Sequence, residues 1–445
     1  MTQWQPQPKL MMQNNPSQHI LLYQGFAELI SDAQIIEGEA FVKISWHPSP
    51  NINFKFIHYD EEKFDWDNQD NLQLKLTEFS SEHRLKVRVH KSTSWGGNKK
   101  VQLLGYITEP FVQGSDDDLH SVVFHFTNFW WFNISNRFEF YEDEQENEIE
   151  IHREGWLDFE GQFIFDYDDW HIVLGTLDNC FDLTELLEFE GGFGITHICK
   201  IQRKDNACFT LDEVYKIIEA FSYYLSFVRG IWIAPLMVCG FDLEGNQILE
   251  EWRNPIMLAD SWQDGYRWTW VDSTLRIVAP FAGFIEKWQS SVWHETIKNS
   301  IQWYIESLKH FNGYNTSICS LQAALEKIAW VYLNVNDCMS ANDFKALRAS
   351  GQIRLLLKFL GIPKEELDKY KEIHKLAKEL NWEDTITAIT EIRNTIMHPQ
   401  VKKINNCRYF SEEVMQEAFS ISHSYLLKSL LKLFDYPYSI DCDYI

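Results

Sequence analysis

Arg393-Asn394-Thr395-Ile396-Met397-His398 sets a guanidinium, a carboxamide and an imidazole at the end of what reads as a helix, and Pro399 follows at once. The residue before a proline is pushed out of the α region, so His398 closes or caps that helix. Asn394 and His398 are four apart, share a helix face and can hydrogen-bond. Arg393 points away from that face in a straight helix. With the helix ended at His398, the imidazole is free to turn toward the same cleft. A guanidinium that binds phosphate beside a histidine that moves a proton is the minimum equipment for cleaving a phosphodiester. The plainer alternative is structural. His398 would be a C-cap, favoured there by the helix dipole when charged, and Arg393 a surface residue paired with Asp384 or Glu391.

The elements that must hold these residues follow from periodicity. From Phe281 onward, Phe284–Phe311, Ser317–Leu333, Asp343–Leu360, Pro363–Leu380, Trp382–Met397 and Glu412–Phe434 have helical composition, with breaks at Gly313, Gly351, Gly361 and His398-Pro399. Pro363 suits a first helical position, with Glu365 and Glu366 in the first turn. Asn381 is placed to N-cap the helix carrying Ile386, Ile389 and Ile396. Together these make a helical bundle over 281–445.

Residues 1–280 read differently. Leu85/Val87/Val89, Val122/Phe124/Phe126, Phe138/Phe140, Ile149/Ile151 and Phe163/Phe165/Tyr167 alternate with period two, as a sheet with one buried face requires. Turn chemistry separates them at Ser94–Asn98, Gly114–Asp118 and Gly191-Gly192. One strong helix interrupts: Thr210-x-x-Glu213 has the form of a capping box, Val214, Ile217, Ile218, Phe221, Leu225 and Val228 follow at helical spacing, and Gly230 closes it. Extended sequence is expected again to about Ile277. The fold class is therefore α+β multidomain: a β-rich, sandwich-like N-terminal region of one or two lobes with at least one packed helix, then an all-α bundle.

Charge separates the same two halves. Residues 281–445 hold 19 Lys and Arg against 20 Asp and Glu, which leaves 21 against 45 of the chain's 40 and 65 for residues 1–280. A region at −24 repels nucleic acid, so RNA contact is expected in the near-neutral bundle. The first residues carry no cationic stretch and no apolar run of a signal peptide. The apolar segment Gly230–Gly240 is too short to span a bilayer and contains Pro235. The eight cysteines form no C-x-x-C pair, which points to free thiols in a reducing cytoplasm rather than disulfides or zinc. Asp116-Asp117-Asp118 and Asp166/Asp168/Asp169 lack the glycine and closing glutamate of a calcium loop and read as acidic turns. No metal or other cofactor is expected.

With Arg393, a polar Asn394 directly after it and His398 at a helix end, the bundle resembles the HEPN superfamily of metal-independent ribonucleases, whose signature is an Arg and a His with four to six residues between. The helix Ser320–Trp330 resembles the second core helix of that domain, with Glu326 at its polar site. A long β-rich region followed by such a bundle is similar to ApeA-type antiphage (abortive infection) proteins. The pattern itself is short. It recurs as Arg84…His90 in Leu-Lys-Val-Arg-Val-His, which alternates like a strand and is read as chance.

The resemblance implies a homodimer or higher assembly in which two motifs line one cleft. It also implies that neutral His398 takes the proton of a ribose 2′-OH, that Arg393 binds the phosphate oxygens, and that Asn394 orients one or the other. Lys402 and Lys403 would add phosphate contacts, or be ordinary surface lysines. The expected protein is a cytoplasmic endoribonuclease of antiviral defence, triggered by a phage-derived cue through residues 1–280 and needing no membrane. Two alternatives stand beside it: a non-catalytic binding or sensor protein whose bundle only dimerises, and a HEPN partner of a nucleotidyltransferase. The second is weakened because the nearest tyrosine after the motif is Tyr409.

Overall fold

The computed structural model describes residues 12–32, 34–59, 71–77, 79, 84–95, 100–130, 138–142, 148–152, 162–263, 274–309, 313–336, 338–398 and 410–438. The chain divides into two compact units, Met1–Leu225 with Trp232–Asp264, and Ser226–Ile231 with Gly265–Ile445. The first is β-rich and the second helical, the α+β organisation expected from the sequence.

In the first unit β1 (Ile20–Ile30), β2 (Ile35–Ser45), β3 (Asn51–His58), β4 (Gln73–Leu76), β5 (Leu85–Trp95) and β6 (Lys100–Ile107) close an antiparallel barrel in the order β1-β2-β3-β6-β5-β4, with β4 pairing back onto β1. Alternate residues point inward, so Ala40, Val42, Phe54, Phe56, Leu74, Leu76, Val87 and Val89 fill the lumen. Arg84 and His90 lie on the exposed side of this alternation, Arg84 bonded to Gln73 and His90 stacked on Tyr106.

A seven-stranded sheet follows from β7 (Phe111–Gly114), β8 (Ser121–Thr127), β11 (Gln162–Tyr167), β12 (Trp170–Thr176), β13 (Ile195–Arg203), β14 (Pro235–Phe241) and β15 (Gln247–Trp252), in the order β11-β12-β13-β8-β14-β15-β7. Strands β9 (Phe138–Glu142) and β10 (Glu148–His152) pair separately as a hairpin. Every residue of central β8 is buried, so its alternation separates two covered faces rather than core from solvent. The apolar run ending at Gly240 is β14, which pairs β8 on one side and β15 on the other.

Among the described residues two helices lie between these strands. Helix α1 (Cys180–Glu190), not expected from the sequence, carries only a short apolar stripe between strands and ends on Gly191 at φ 69°. Helix α2 (Leu211–Arg229) begins with the expected capping box, in which the Glu213 amide donates to Thr210 Oγ1 and the Thr210 amide to Glu213. Gly230 closes it at φ 75°.

The helical unit contains α3 (Thr274–Val278), α4 (Phe281–Gln289), α5 (His294–Ser307), α6 (Gly313–Val335), α7 (Ala341–Ala346), α8 (Ala349–Phe359), α9 (Lys371–Leu380), α10 (Thr385–Met397) and α11 (Glu412–Leu433). Several expected boundaries change for identifiable reasons. Phe284–Phe311 is two helices, because Ser290 turns extended and buried Trp293 reanchors the chain. Leu347, extended at ψ 143°, splits Asp343–Leu360, while Gly351 lies inside α8.

Pro363 starts no helix. Residues 362–366 run as a strap whose Glu365 amide donates to the Tyr425 hydroxyl and whose Glu365 carbonyl accepts from Thr385 Oγ1. Those tertiary bonds hold Glu365 in an extended strap, where Glu365 and Glu366 were expected in the first turn of a helix. Asn381 sits at φ 55°, the left-handed C-cap of α9, and Asp384 caps α10 instead. Ile277, expected in extended chain, lies in α3. Among the described residues no helix is long and apolar enough to cross a membrane.

Candidate functional site

Helix α10 carries the motif and is fixed at three heights. At its start Asp384 accepts from the Thr387 amide at 2.9 Å, the N-cap bond that the first turn needs. Arg354 of α8 grips the same carboxylate through Nε and Nη2 at 3.1 and 3.0 Å, and Lys364 of the strap adds a contact at 3.0 Å. Burial alone would raise the Asp384 pKa. The bonds from Arg354, the Thr387 amide, Lys364 and the Thr387 hydroxyl outweigh it and hold the group well below the usual carboxylate range. Beside it, Thr385 Oγ1 meets the Tyr425 hydroxyl of α11 at 2.7 Å.

The middle of α10 is tied to α6. Gln322, fully buried, donates through Nε2 to the Ile389 carbonyl at 2.7 Å. One turn further along α6, Glu326 accepts from Arg393 Nη2 at 3.0 Å. Arg393 Nη1 also donates to Asn394 Oδ1 at 3.2 Å. The guanidinium thus folds back along its own helix, contrary to the expectation that Arg393 points away from the Asn394 face. It is paired with neither Asp384 nor Glu391. The long, flexible stem reaches across one residue, and Asp384 is already taken by Arg354 and Lys364.

The two side chains of the Arg393–Glu326 pair are 22% and 27% exposed. Burial raises the Glu326 pKa, and the opposing pull of Arg393 does not cancel it. Cys319, two turns before Glu326 on α6, is half-buried. Burial raises its thiol pKa against the same Arg393 charge. Cys319, Gln322 and Glu326 are spaced three and four apart and so share one face of α6. That spacing is legible in the sequence, although of the three only Glu326 was expected at the site. The residues that hold the start of α10 (Arg354, Lys364, Tyr425) had no such signal.

The motif helix ends as expected. Met397 is its last residue, and His398 is the C-cap at φ −128°, ψ 72°, with its amide donating to the Asn394 carbonyl at 2.9 Å. His398 is exposed. Asn394 therefore touches both partners, Arg393 through its side-chain oxygen and His398 through its main-chain carbonyl. Lys402 and Lys403 lie outside the described residues. The acidic stretches bond to protein groups: Asp166 pairs with His171 at 2.8 Å, and Asp116 accepts from the Leu211 amide at the start of α2.

A helical bundle with a half-buried arginine–glutamate pair on a helix that closes at an exposed histidine belongs to the class of candidate acid–base or anion-binding sites. Comparison with known proteins supplies relatives for both halves. Residues 114–264 match the model of the YopA central domain, and residues 290–439 that of the YopA C-terminal domain. Glu326, Arg393, Asn394 and His398 all fall within the second match. The chain is also similar to the SPbeta prophage-derived uncharacterized protein YopA of Bacillus subtilis (strain 168), at 28% identity over 257 residues. That alignment covers 55% of this chain and 55% of the relative, so the chain spans about half the length of the curated relative it matches. No solved structure matches.

Proposed function

We propose that the helical unit is a metal-independent endoribonuclease of HEPN type, acting in the cytoplasm in antiviral defence and restrained through the acidic β-rich unit. The observation that carries this reading is the double contact of Asn394, which links the Arg393 guanidinium to the backbone of exposed His398. Arginine has five N–H donors. Glu326 and Asn394 account for two of them among the described residues, which leaves donors for a phosphate.

In this mechanism neutral His398 removes the proton of a ribose 2′-OH as that oxygen attacks the adjacent phosphorus. The bond to the 5′-oxygen breaks, the leaving oxygen takes a proton from solvent or from a second copy's imidazole, and a 2′,3′-cyclic phosphate remains. Arg393 neutralises the charge that grows on the non-bridging oxygens. A positioned base contributes roughly 10²–10⁴-fold and a charge clamp a comparable factor, enough for slow cleavage. The near-neutral charge of residues 281–445 permits RNA to approach, whereas residues 1–280 at −24 repel it. The prophage origin of the Bacillus subtilis relative is compatible with a role in the contest between phage and host.

The test is cleavage of RNA by the purified full-length protein in EDTA beside its His398→Ala variant. Cleavage that persists without metal, yields 2′,3′-cyclic ends and falls about 100-fold or more in the variant supports the proposal. Equal cleavage by both proteins would remove His398 from the chemistry. A second reading, favoured by the half-buried Arg393–Glu326 pair, makes Arg393 a structural tie between α6 and α10 in a non-catalytic bundle. That reading predicts that Arg393→Lys alters stability while RNA stays intact in every variant.

A further inference from the structure

The outer face of the barrel carries an arrangement that its own fold does not explain. In the β1–β2 register Phe26 stands opposite Glu39 and Glu28 opposite Glu37, all on the outward side of the alternation. Glu28 is neutralised by Lys75 at 2.9 Å. Among the described residues Glu37 and Glu39 have no cation, although they lie two apart on one strand and repel each other. The nearby lysines lie over rings rather than on these carboxylates, Lys55 over Phe41 at 5.1 Å and Lys100 over Tyr59 at 5.3 Å.

Around the two carboxylates lie large side chains left in water: Phe26 is 53% exposed, Ile35 63% and Tyr59 62%. Together these groups line an open concavity of about 680 Å³, and His58 lines it too. His58 is more than nine-tenths buried, and its Nδ1 donates to the Glu37 carbonyl at 2.6 Å. A carbonyl only accepts, so Nδ1 carries the proton and Nε2, on the other side of the ring, is left an acceptor. Buried Nε2 has no hydrogen-bond partner among the described residues.

Unpaired carboxylates beside exposed apolar side chains favour one chemistry, a cation on an apolar stem. We propose that this face of β1–β3 is a docking site for a basic peptide segment. A lysine or arginine stem would lie against Phe26, Ile35 and Tyr59, and its head group would sit on Glu37 and Glu39. The partner is a protein with an exposed basic stretch, and the acidity of residues 1–280 would draw it in. The local precedent is Lys100, whose ammonium already lies over Tyr59. The inference concerns the β-rich unit alone and holds whether or not the helical unit cleaves RNA.

Titration calorimetry of the full-length protein with a short capped oligolysine peptide, at physiological salt, tests it. A chain at −25 attracts any polycation weakly, so two charge-matched variants are compared. Glu37→Gln/Glu39→Gln, whose side chains face outward, should weaken binding about tenfold, the equivalent of two charge-assisted contacts. Glu366→Gln/Asp368→Asn, on exposed positions of the helical unit, should weaken it less than about twofold. Tyr59→Ala should also weaken binding, and a peptide with every lysine acetylated should not bind. Equal losses in the two double variants would reduce the attraction to bulk charge and overturn the site. Retention of the acetylated peptide would overturn the assignment to a cation.

Discussion

Replacing one member of the Arg393–Glu326 pair should not cost the same as replacing the other. The two groups meet at 3.0 Å in a half-buried setting, and for Glu326 the cost of burial exceeds the attraction of Arg393. At an effective dielectric of 20, unit charges about 4 Å apart attract by roughly 4 kcal/mol, while desolvation costs several kcal/mol per ion. The two nearly cancel. Glu326→Gln keeps the shape and a hydrogen-bond acceptor while removing the desolvated charge, so the tie between α6 and α10 should change by less than about 0.5 kcal/mol. Arg393→Met does the opposite: it strands a half-buried carboxylate and should cost about 1–3 kcal/mol.

The pH dependence has a definite sign. A carboxylate whose folded pKa is raised binds more protons folded than unfolded, so its stabilising protonation is lost as pH rises through the folded value. Without Arg393 that value moves further up, and the deficit of Arg393→Met should shrink on going from about pH 7.5 to about pH 5. Hydrogen exchange of the α6 and α10 amides reads this locally, each tenfold change in protection being about 1.4 kcal/mol. An equal loss in both variants, or a deficit in Arg393→Met that ignores pH, would refute the reasoning that burial outweighs attraction at Glu326.

Asp384→Asn keeps an N-cap but loses the charge that Arg354 and Lys364 hold, and should cost about 1–3 kcal/mol at neutral pH. Because the folded pKa of Asp384 is depressed, its contribution is present above about pH 4 and lost below it, so acid melting of α10 followed by exchange should be shallower in the variant. His423, buried between the rings of Tyr304 and Phe419, has its pKa pushed down to about 3 by burial. Its neutrality costs stability as pH falls below about 6.5, at up to ~1.4 kcal/mol per pH unit, and His423→Phe should flatten that part of the acid unfolding curve. A Cβ on Gly283 would stand 2.4 Å from the Phe434 carbonyl oxygen, a backbone atom that cannot step aside. Gly283→Ala should therefore lower the melting temperature of the helical unit, at a cost of about 1–3 kcal/mol.

What the sequence determined by itself is what depends on neighbours along the chain. The capping box of α2 is complete within Thr210–Glu213, and its closing turn needs only Gly230. The alternation of Val122, Phe124 and Phe126 and the helix end at Met397 are of the same kind, since two or four residues suffice to write them. Closure of six strands into a barrel was not legible, because the pairing of β4 with β1 joins segments whose patterns are those of any amphipathic strand.

The candidate site divides in the same way. Arg393, Asn394 and His398 announced themselves by spacing. The carboxylate that Arg393 meets lies 67 positions earlier on another helix, and nothing in local periodicity selects Glu326 over Glu391. The strap at 362–366 had helical composition, and it became extended because the Glu365 backbone and Lys364 found partners in Tyr425, Thr385 and Asp384. Hydrogen bonds within a turn are fixed by sequence neighbours, but buried polar groups take whichever partner the packing of distant elements brings within 3 Å. That choice was made by the tertiary structure.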